Sequence, residues 1–249
     1  MAYTNNKFCW HGIITTDVNS AKAFYAETIG WGIQNIPMGD DTATMVTAGG
    51  SARAHIMLPP MEGIPPHISS YLRVEDVDAA LAAAVEAGGK ALTEPTDIPP
   101  GRFAGVASPT GAAFLLFHEA DPSAEDKPSG PGAIHWVELR STDLKADLSW
   151  LEKSFAIGFE EMPMPDGPYF ILKSGDEQVG GAMSAMMPGV PSNWLVWLNT
   201  PGVDDCAARV KSNGGQILAG PTAVEGIGKM YVAMDPAGIA FGIIEPAAA

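Results

Sequence analysis

The segment KFCWHGIITTDVNSAKAFYAETIGW, residues 7–31, limits the possible folds more than any other stretch, because a unit with the same landmarks recurs at Ile134 to Phe159. Phe8 to Thr16 is apolar and β-branched, as a mostly buried strand should be. Asp17 stands where a helix N-cap belongs. Ala21, Phe24, Tyr25 and Thr28 to Ile29 then keep helical spacing until Gly30 stops the helix. The second copy places Trp136 and Asp143 where the first has Trp10 and Asp17, an offset of 136 − 10 = 126. Gly214-Gly215 matches Gly88-Gly89 and Pro221-Thr222 matches Pro95-Thr96 at the same offset. Asp235 to Phe241 matches Ser108 to Phe114 at 127. Landmarks shared along nearly the full length of both halves indicate a duplicated domain.

Each half itself repeats one order. After the first helix, strands are expected at Gly32 to Ile36, Thr42 to Thr47 and Ala52 to Leu58, with turns at Gly39-Asp40-Asp41 and Gly49-Gly50. Past the linker PPMEGIPP, His67 to Val74 reads as a strand. Asp76 caps a helix carrying Val77, Leu81, Ala84 and Val85 on one face, and Lys90 to Thr93, Phe103 to Ala107 and Ala113 to Phe117 are three more strands. The Pro/Ser/Gly-rich run Ala120 to Gly132 reads as a linker. The expected partition is therefore 1–120, a linker at 121–132, and 133–249. In the second half Asp143 leads a helix with Leu144, Leu148, Leu151 and Phe155 at spacings of four, three and four.

Charge and composition exclude several classes of partner. Fourteen Lys and Arg against 29 Asp and Glu give a formal charge of −15, which repels a nucleic-acid backbone. No basic amphipathic stretch offers a membrane surface. The opening MAYTNNKFCWHG has no basic region followed by an apolar core, so no signal peptide is expected. Val179 to Val203 carries no charge, but Pro188, Pro191 and Pro201 interrupt it, and it reads as strand, loop, strand. Two cysteines, Cys9 and Cys206, sit among apolar neighbours as buried thiols, pointing to a reduced cytoplasmic compartment.

A strand ending in Thr-Thr-Asp or Ser-Thr-Asp, a helix reading AKAFY, a Gly-Trp after it, and the later Gly-Gly, Pro-Thr and Pro-x-Gly-x-x-Phe landmarks form a specific pattern. It resembles the glyoxalase/bleomycin-resistance/dioxygenase (vicinal oxygen chelate) superfamily, in particular tandem two-domain members of the mycobacterial antigen type. The resemblance covers about Phe8 to Glu119 and Ile134 to Pro246. It implies an α+β fold of tandem glyoxalase-like domains, each made of two βαβββ modules whose eight strands form a ligand-holding cup. The order read from the residues agrees with it. It also implies a small-molecule ligand or substrate, in a monomer or homodimer, with activities ranging from glyoxalase I and extradiol dioxygenases to non-catalytic antibiotic binding. Fold alone does not choose among these.

Metal-using relatives place His and Glu ligands on the first and last strands of each module. Carried over by landmarks, those positions are Trp10 and Trp136, Met57 and Met183, Ser69 and Leu195, and Leu115 and Gly242. Imidazole, carboxylate or thiolate suits a divalent cation, whereas Trp and Met make an apolar wall. No cofactor is expected. A register slip of two residues would bring in His55 and His67, which keeps a divalent metal held by those two histidines as an alternative to hydrogen-bonded or ligand-binding roles. His11 and His135 have the opposite strand parity, and His118 reads as solvated.

Parity also puts Trp136, Glu138 and Arg140 on one strand face, where Glu138 is either a general acid or base, a ligand anchor, or half of a structural ion pair with Arg140. The first copy has Gly12 at that place, so the two cups differ. The expected site set is Glu138, His55 and His67 as catalytic candidates, with Trp10, Met57, Ser69, Tyr71, Trp136, Arg140, Met183 and Trp197 contacting ligand. Arg53, Leu195 and Tyr169 join them on the same inward faces. The reading is a protein that binds an apolar or aromatic small molecule in a Trp/Met-lined cup without metal, in detoxification or resistance, with catalysis on that molecule left open. The alternatives are a metal-dependent glyoxalase I-like lyase or extradiol-type dioxygenase, and a non-catalytic interaction protein.

Overall fold

Among the described residues, three of the four helices start where a carboxylate caps them. The computed structural model describes residues 6–38, 41–121, 130–164, 167–185, 187 and 189–247. The first five residues, the Gly39-Asp40 part of one expected turn, residues 122–129 of the expected linker, and Pro188 lie outside these. The first half contains β1 (Phe8–Ile14), α1 (Val18–Ile29), β2 (Gly32–Met38), β3 (Asp41–Ala48), β4 (Ser51–Met57), β5 (His67–Arg73), α2 (Val77–Glu86), β6 (Lys90–Ala91), β7 (Thr96–Ile98), β8 (Gly101–Ala107) and β9 (Ala113–Glu119). The second contains β10 (Ile134–Ser141), α3 (Leu144–Phe155), β11 (Ile157–Met162), β12 (Tyr169–Ser174), β13 (Glu177–Ser184), β14 (Asn193–Asn199), α4 (Val203–Ser212), β15 (Gln216–Val224), β16 (Gly228–Met234) and β17 (Ala240–Pro246). The order β, α, β, β, β thus occurs four times, with the short β7 added in the second module.

The strands form two sheets, ordered β2-β3-β4-β1-β5-β9-β8-β6, with β7 beside β8, and β11-β12-β13-β10-β14-β17-β16-β15. This is an α+β fold of tandem βαβββ modules. In every module the first strand pairs in parallel with the last: β1 with β4, β5 with β9, β10 with β13 and β14 with β17. A parallel pair needs a long crossover, and in each module the helix supplies it. Asp17, Asp76 and Asp143 cap α1, α2 and α3 by accepting from the backbone N–H three residues on. At α4 the cap position is Gly202, in left-handed geometry and without a side-chain bond. Asp204 and Asp205 in the first turn offset the helix dipole there.

By packing, the described residues divide into two units, each drawing on both halves of the chain. One comprises 6–10, 70–121 and 136–194. Its interior holds Trp150, whose indole N–H donates to Ala84 O at 2.9 Å and whose ring stands edge-on to Phe114 and Phe155. Gly89 makes this approach possible, since a Cβ there would lie 2.6 Å from Trp150 Nε1. Asp147, in the first turn of α3, is fully buried and accepts from Ser141 Oγ at 2.7 Å and Thr110 Oγ1 at 2.5 Å.

The other unit comprises 11–69, 130–135 and 195–247. Phe24, Tyr25, Trp31 and Phe241 form its aromatic centre, with Ile13, Val46, Val196 and Ile243 around them. The buried Tyr25 hydroxyl donates to Asp235 at 3.3 Å, and burial and that carboxylate raise the phenol well above its ordinary pKa. At the C-terminal end of α1, Thr28 O accepts from Arg209 Nε at 3.0 Å and from Cys206 Sγ, while Asn213 Nδ2 donates to Thr28 Oγ1. These α4 side chains satisfy groups that a helix end leaves open. Gly132, the last residue of the expected linker, is buried: it accepts from Trp31 Nε1 and donates to Asn199 O, both at 2.7 Å. A sequence rule that reads Gly and Pro as solvated linker misses this, because the bonds come from distant residues.

Among the described residues no helix is long and apolar enough to cross a membrane. Val179 to Val203 contains most of β13 and all of β14, two separate strands rather than one apolar span. The expected strand Lys90 to Thr93 stops at Ala91, where Leu92 N and Thr93 N both turn to Gly105 O.

Replacing Asp147 with Ala takes the acceptor from the buried Ser141 hydroxyl and from the half-buried Thr110 hydroxyl. Asp147→Ala should lower the unfolding free energy by about 2–3 kcal/mol, measured by urea denaturation followed by circular dichroism.

Candidate functional site

Alternation along β10 gives it two unlike faces. Val137, Leu139 and Ser141 are buried on one, and Trp136, Glu138 and Arg140 share the other. On that second face Trp136 Nε1 donates to Tyr169 Oη at 2.8 Å, and Tyr169 Oη donates to Glu138 Oε2 at 3.2 Å. Arg140 Nε donates to Glu138 Oε1 at 2.9 Å. Glu138 is only 5% exposed. Burial first, and then the neighbouring carboxylate, raise the Tyr169 phenol well above its ordinary pKa, so it is held as a hydrogen-bond donor. A carboxylate has about four lone-pair directions, so these two contacts leave it able to accept from a ligand. Met183 lies opposite Arg140 in the β10–β13 ladder and is half-buried. Four of the expected inward residues, Trp136, Glu138, Arg140 and Tyr169, are therefore one connected group.

Gly181 is what allows the group to form. It is the register partner of Glu138, and a Cβ on it would collide with the Tyr169 hydroxyl and stand 2.7 Å from Trp136 Nε1. The same pairing of one glycine with one large side chain recurs around the repeat. Gly12 is the register partner of His55, and a Cβ on Gly12 would lie 2.6 Å from His55 Nε2. Trp197 is the partner of Gly242, whose Cβ would collide with the indole ring. At offset 126 Gly12 corresponds to Glu138 and His55 to Gly181, so the bulky polar group sits on the last strand of the first module but on the first strand of the third. The sequence showed Gly12 against Glu138. It did not show that the missing bulk returns from the partner strand, because that depends on register.

The remaining expected residues lie as follows. Trp10 is half-buried on β1, and Met57 is 38% exposed at the end of β4. Arg53 is buried and donates from Nη2 to Ala48 O at 3.2 Å. Burial holds the His55 imidazole well below its ordinary pKa, down to about 4. His67 and Ser69, two apart on β5, are bonded to each other: Ser69 Oγ is 2.7 Å from His67 Nε2, and His67 Nδ1 is 2.8 Å from Pro65 O. Tyr71 stands edge-on to Phe117, and burial, with Cys9 nearby, pushes its phenol up to about 12. Leu195 and Trp197 are buried on β14, and no described group pairs with the Trp197 indole N–H. His11 is buried with the parity of core residue Ile13, and His118 is exposed with Nδ1 3.2 Å from Val74 O.

A sequence profile of the Glyoxalase/Bleomycin resistance protein/Dioxygenase superfamily matches residues 7–123. The "Putative glyoxylase CFP32" of Mycobacterium tuberculosis is 34% identical over 245 residues, covering 96% of this chain and 94% of the relative. The chain belongs to this superfamily. A second relative of near-equal length is the "Anthracycline biosynthesis protein DnrV" of Streptomyces peucetius, 25% identical over 263 residues, covering 95% and 92%. Among solved structures, the Mn(II)-bound glyoxalase of Novosphingobium aromaticivorans has a TM-score of 0.64 at 22% identity, covering 98% of this chain and 82% of that one. The 2,2',3-trihydroxybiphenyl 1,2-dioxygenase of Sphingomonas wittichii has 0.65 at 14%, covering 98% and 91%. At those identities the likeness is one of fold.

Superfamily members that use a metal need a set of donors for it. Among the described residues no three His, Cys, Asp or Glu are grouped to hold one. Glu138 is engaged by Arg140 and Tyr169, and both ring nitrogens of His67 have partners. His55 and His67 stand on β4 and β5, which β1 separates in the sheet. The donor set among the described residues therefore does not fit a divalent cation.

Two outcomes follow from the site geometry. An unfolded histidine titrates near 6.5, so as pH falls from about 6.5 to 4 the unfolded chain binds the proton that folded His55 refuses. Stability should be fully retained above that window and decline within it, and His55→Gln should flatten the decline in urea melts between pH 7 and 4. Gly181→Ala should displace the Tyr169 ring and cost about 1–3 kcal/mol, read as a lower melting temperature with altered tryptophan emission.

Proposed function

We propose that the chain binds, and carries out acid–base chemistry on, an apolar or aromatic small molecule, and does so without a bound metal. The observation that carries this reading is the Trp136–Tyr169–Glu138–Arg140 group. A nearly buried carboxylate, oriented by a guanidinium and a phenol and bordered by an indole, is a convergence of polar groups on an aromatic surface. Glu138 is the proton-transfer group in this reading, Trp136 packs against the ligand, Arg140 and Tyr169 hold the carboxylate, and Trp10, Met57, Tyr71, Met183 and Trp197 supply further contacts. His55, neutral down to about pH 4, serves the first copy as an acceptor. The sequence halves 1–120 and 133–249 are the duplicated domains in this reading, acting in the cytoplasm. The anthracycline-biosynthesis name of one relative favours a fused aromatic ligand, and the glyoxylase name of the other favours proton transfer next to a carbonyl.

The test titrates purified protein with 1,8-dihydroxyanthraquinone as an aromatic probe, following tryptophan quenching and melting temperature. Binding at micromolar concentration, weakened about tenfold or more by Glu138→Gln with the melting temperature of the free protein retained, is expected. Unchanged binding in Glu138→Gln removes Glu138 from the site. Near-stoichiometric Mn, Fe, Ni or Zn in protein purified without chelator, lost on replacing His55 or His67, overturns the metal-free reading.

A further inference from the structure

We propose that Ser69 is a nucleophile activated by His67, forming an acyl-transfer site for small esters of phenols that is separate from the Glu138 group. The argument begins with which atom holds the proton. A carbonyl oxygen only accepts, so the 2.8 Å contact between His67 Nδ1 and Pro65 O places a proton on Nδ1. In the neutral ring Nε2 is then a bare lone pair, and Ser69 Oγ at 2.7 Å donates to it. The hydroxyl proton thus already points at its acceptor, and the oxygen lone pairs face away from it. A nucleophile within hydrogen-bond reach of a base, with the base held by a third group, is the arrangement that activates serine.

The third group here is a backbone carbonyl, and the sequence makes it rigid. The Pro65 ring fixes its own φ, and Pro66 after it confines Pro65 to extended ψ. The carbonyl that orients His67 is therefore set by two adjacent proline rings rather than by a flexible side chain. His67 and Ser69 share one face of β5, a strand with neighbours on both sides in its sheet, and both are only half-buried, within reach of a ligand. Ser70, the next residue, has the opposite parity and is buried at 1% exposure.

In the reaction, Ser69 Oγ attacks the acyl carbon, forming an O–C bond as the C–O bond to the phenolate breaks. The hydroxyl proton passes to His67 Nε2 and from there to the departing phenolate. Water then attacks the acyl-serine, His67 takes its proton and returns it to Ser69, and the carboxylic acid leaves.

The full chain is treated with p-nitrophenyl acetate and, separately, with a fluorophosphonate probe, and adducts are mapped by peptide mass spectrometry. One adduct at Ser69 is expected from each reagent, absent in Ser69→Ala and formed about 100-fold more slowly in His67→Gln at an unchanged melting temperature. An adduct at Ser69 whose rate is indifferent to His67→Gln overturns the proposal, as do adducts confined to lysines or no adduct in the unaltered protein. Where a variant does not fold, mapping of the unaltered protein still tests whether Ser69 is the nucleophile, and an adduct elsewhere or none at all overturns the proposal.

Discussion

The parallel pairing of the first and last strands of each module is the constraint on which the rest depends. It cannot be closed by a tight turn, so it forces a helical crossover, and the helix must lie on one face of the strand pair. That face becomes core: Ile13 and Ile56 meet the apolar cluster around Phe24, and Leu139 and Ala182 are wholly buried in the other unit. The opposite face is left for Trp136, Glu138 and Arg140, for His55, for Trp197, and for Ser69 and Tyr71. Every group with chemical potential follows from a single division of the strand into two sides.

Parallel register has a second consequence. Where two facing positions lie side by side, a glycine at one leaves room for a large side chain from the other to lie across the ladder. Gly12 with His55, Glu138 with Gly181 and Trp197 with Gly242 show this, while Tyr71 faces Leu115 in the second module. Duplication therefore did not produce two copies of one site. One half presents an imidazole kept neutral by burial, and the other a carboxylate kept in place by a guanidinium and a phenol. The two environments therefore differ chemically even though the backbone frame is shared.

Superfamily membership does not by itself supply a donor set for a metal: among the described residues no three His, Cys, Asp or Glu are grouped to hold one. Trp10 and Trp136 stand at the first-strand positions, the Glu138 carboxylate is engaged with Arg140 and Tyr169, and the His67 imidazole with Pro65 and Ser69. What this frame retains is its ability to place a few polar atoms on an aromatic strand face, which serves binding and proton transfer equally well.

Much of the fold was legible in the sequence, because its signals are local. The Asp caps, the helical spacing of Ala21, Phe24 and Tyr25, the glycine stops and the repeat offset of 126 predict α, β and module order, and strand parity places Glu138 beside Trp136. The short β7 and the ties on Gly132 were not legible, since each depends on a partner far along the chain. The same holds at the sites. Which glycine yields space to which side chain, that Tyr169 reaches across to Glu138, and that two prolines orient His67 toward Ser69 are facts of register and loop path. The sequence by itself determined the repeating βαβββ frame and the residue types on each strand face. Only the tertiary structure decided which of those residues touch, because a shift of one position in pairing would have turned every one of them to the other side.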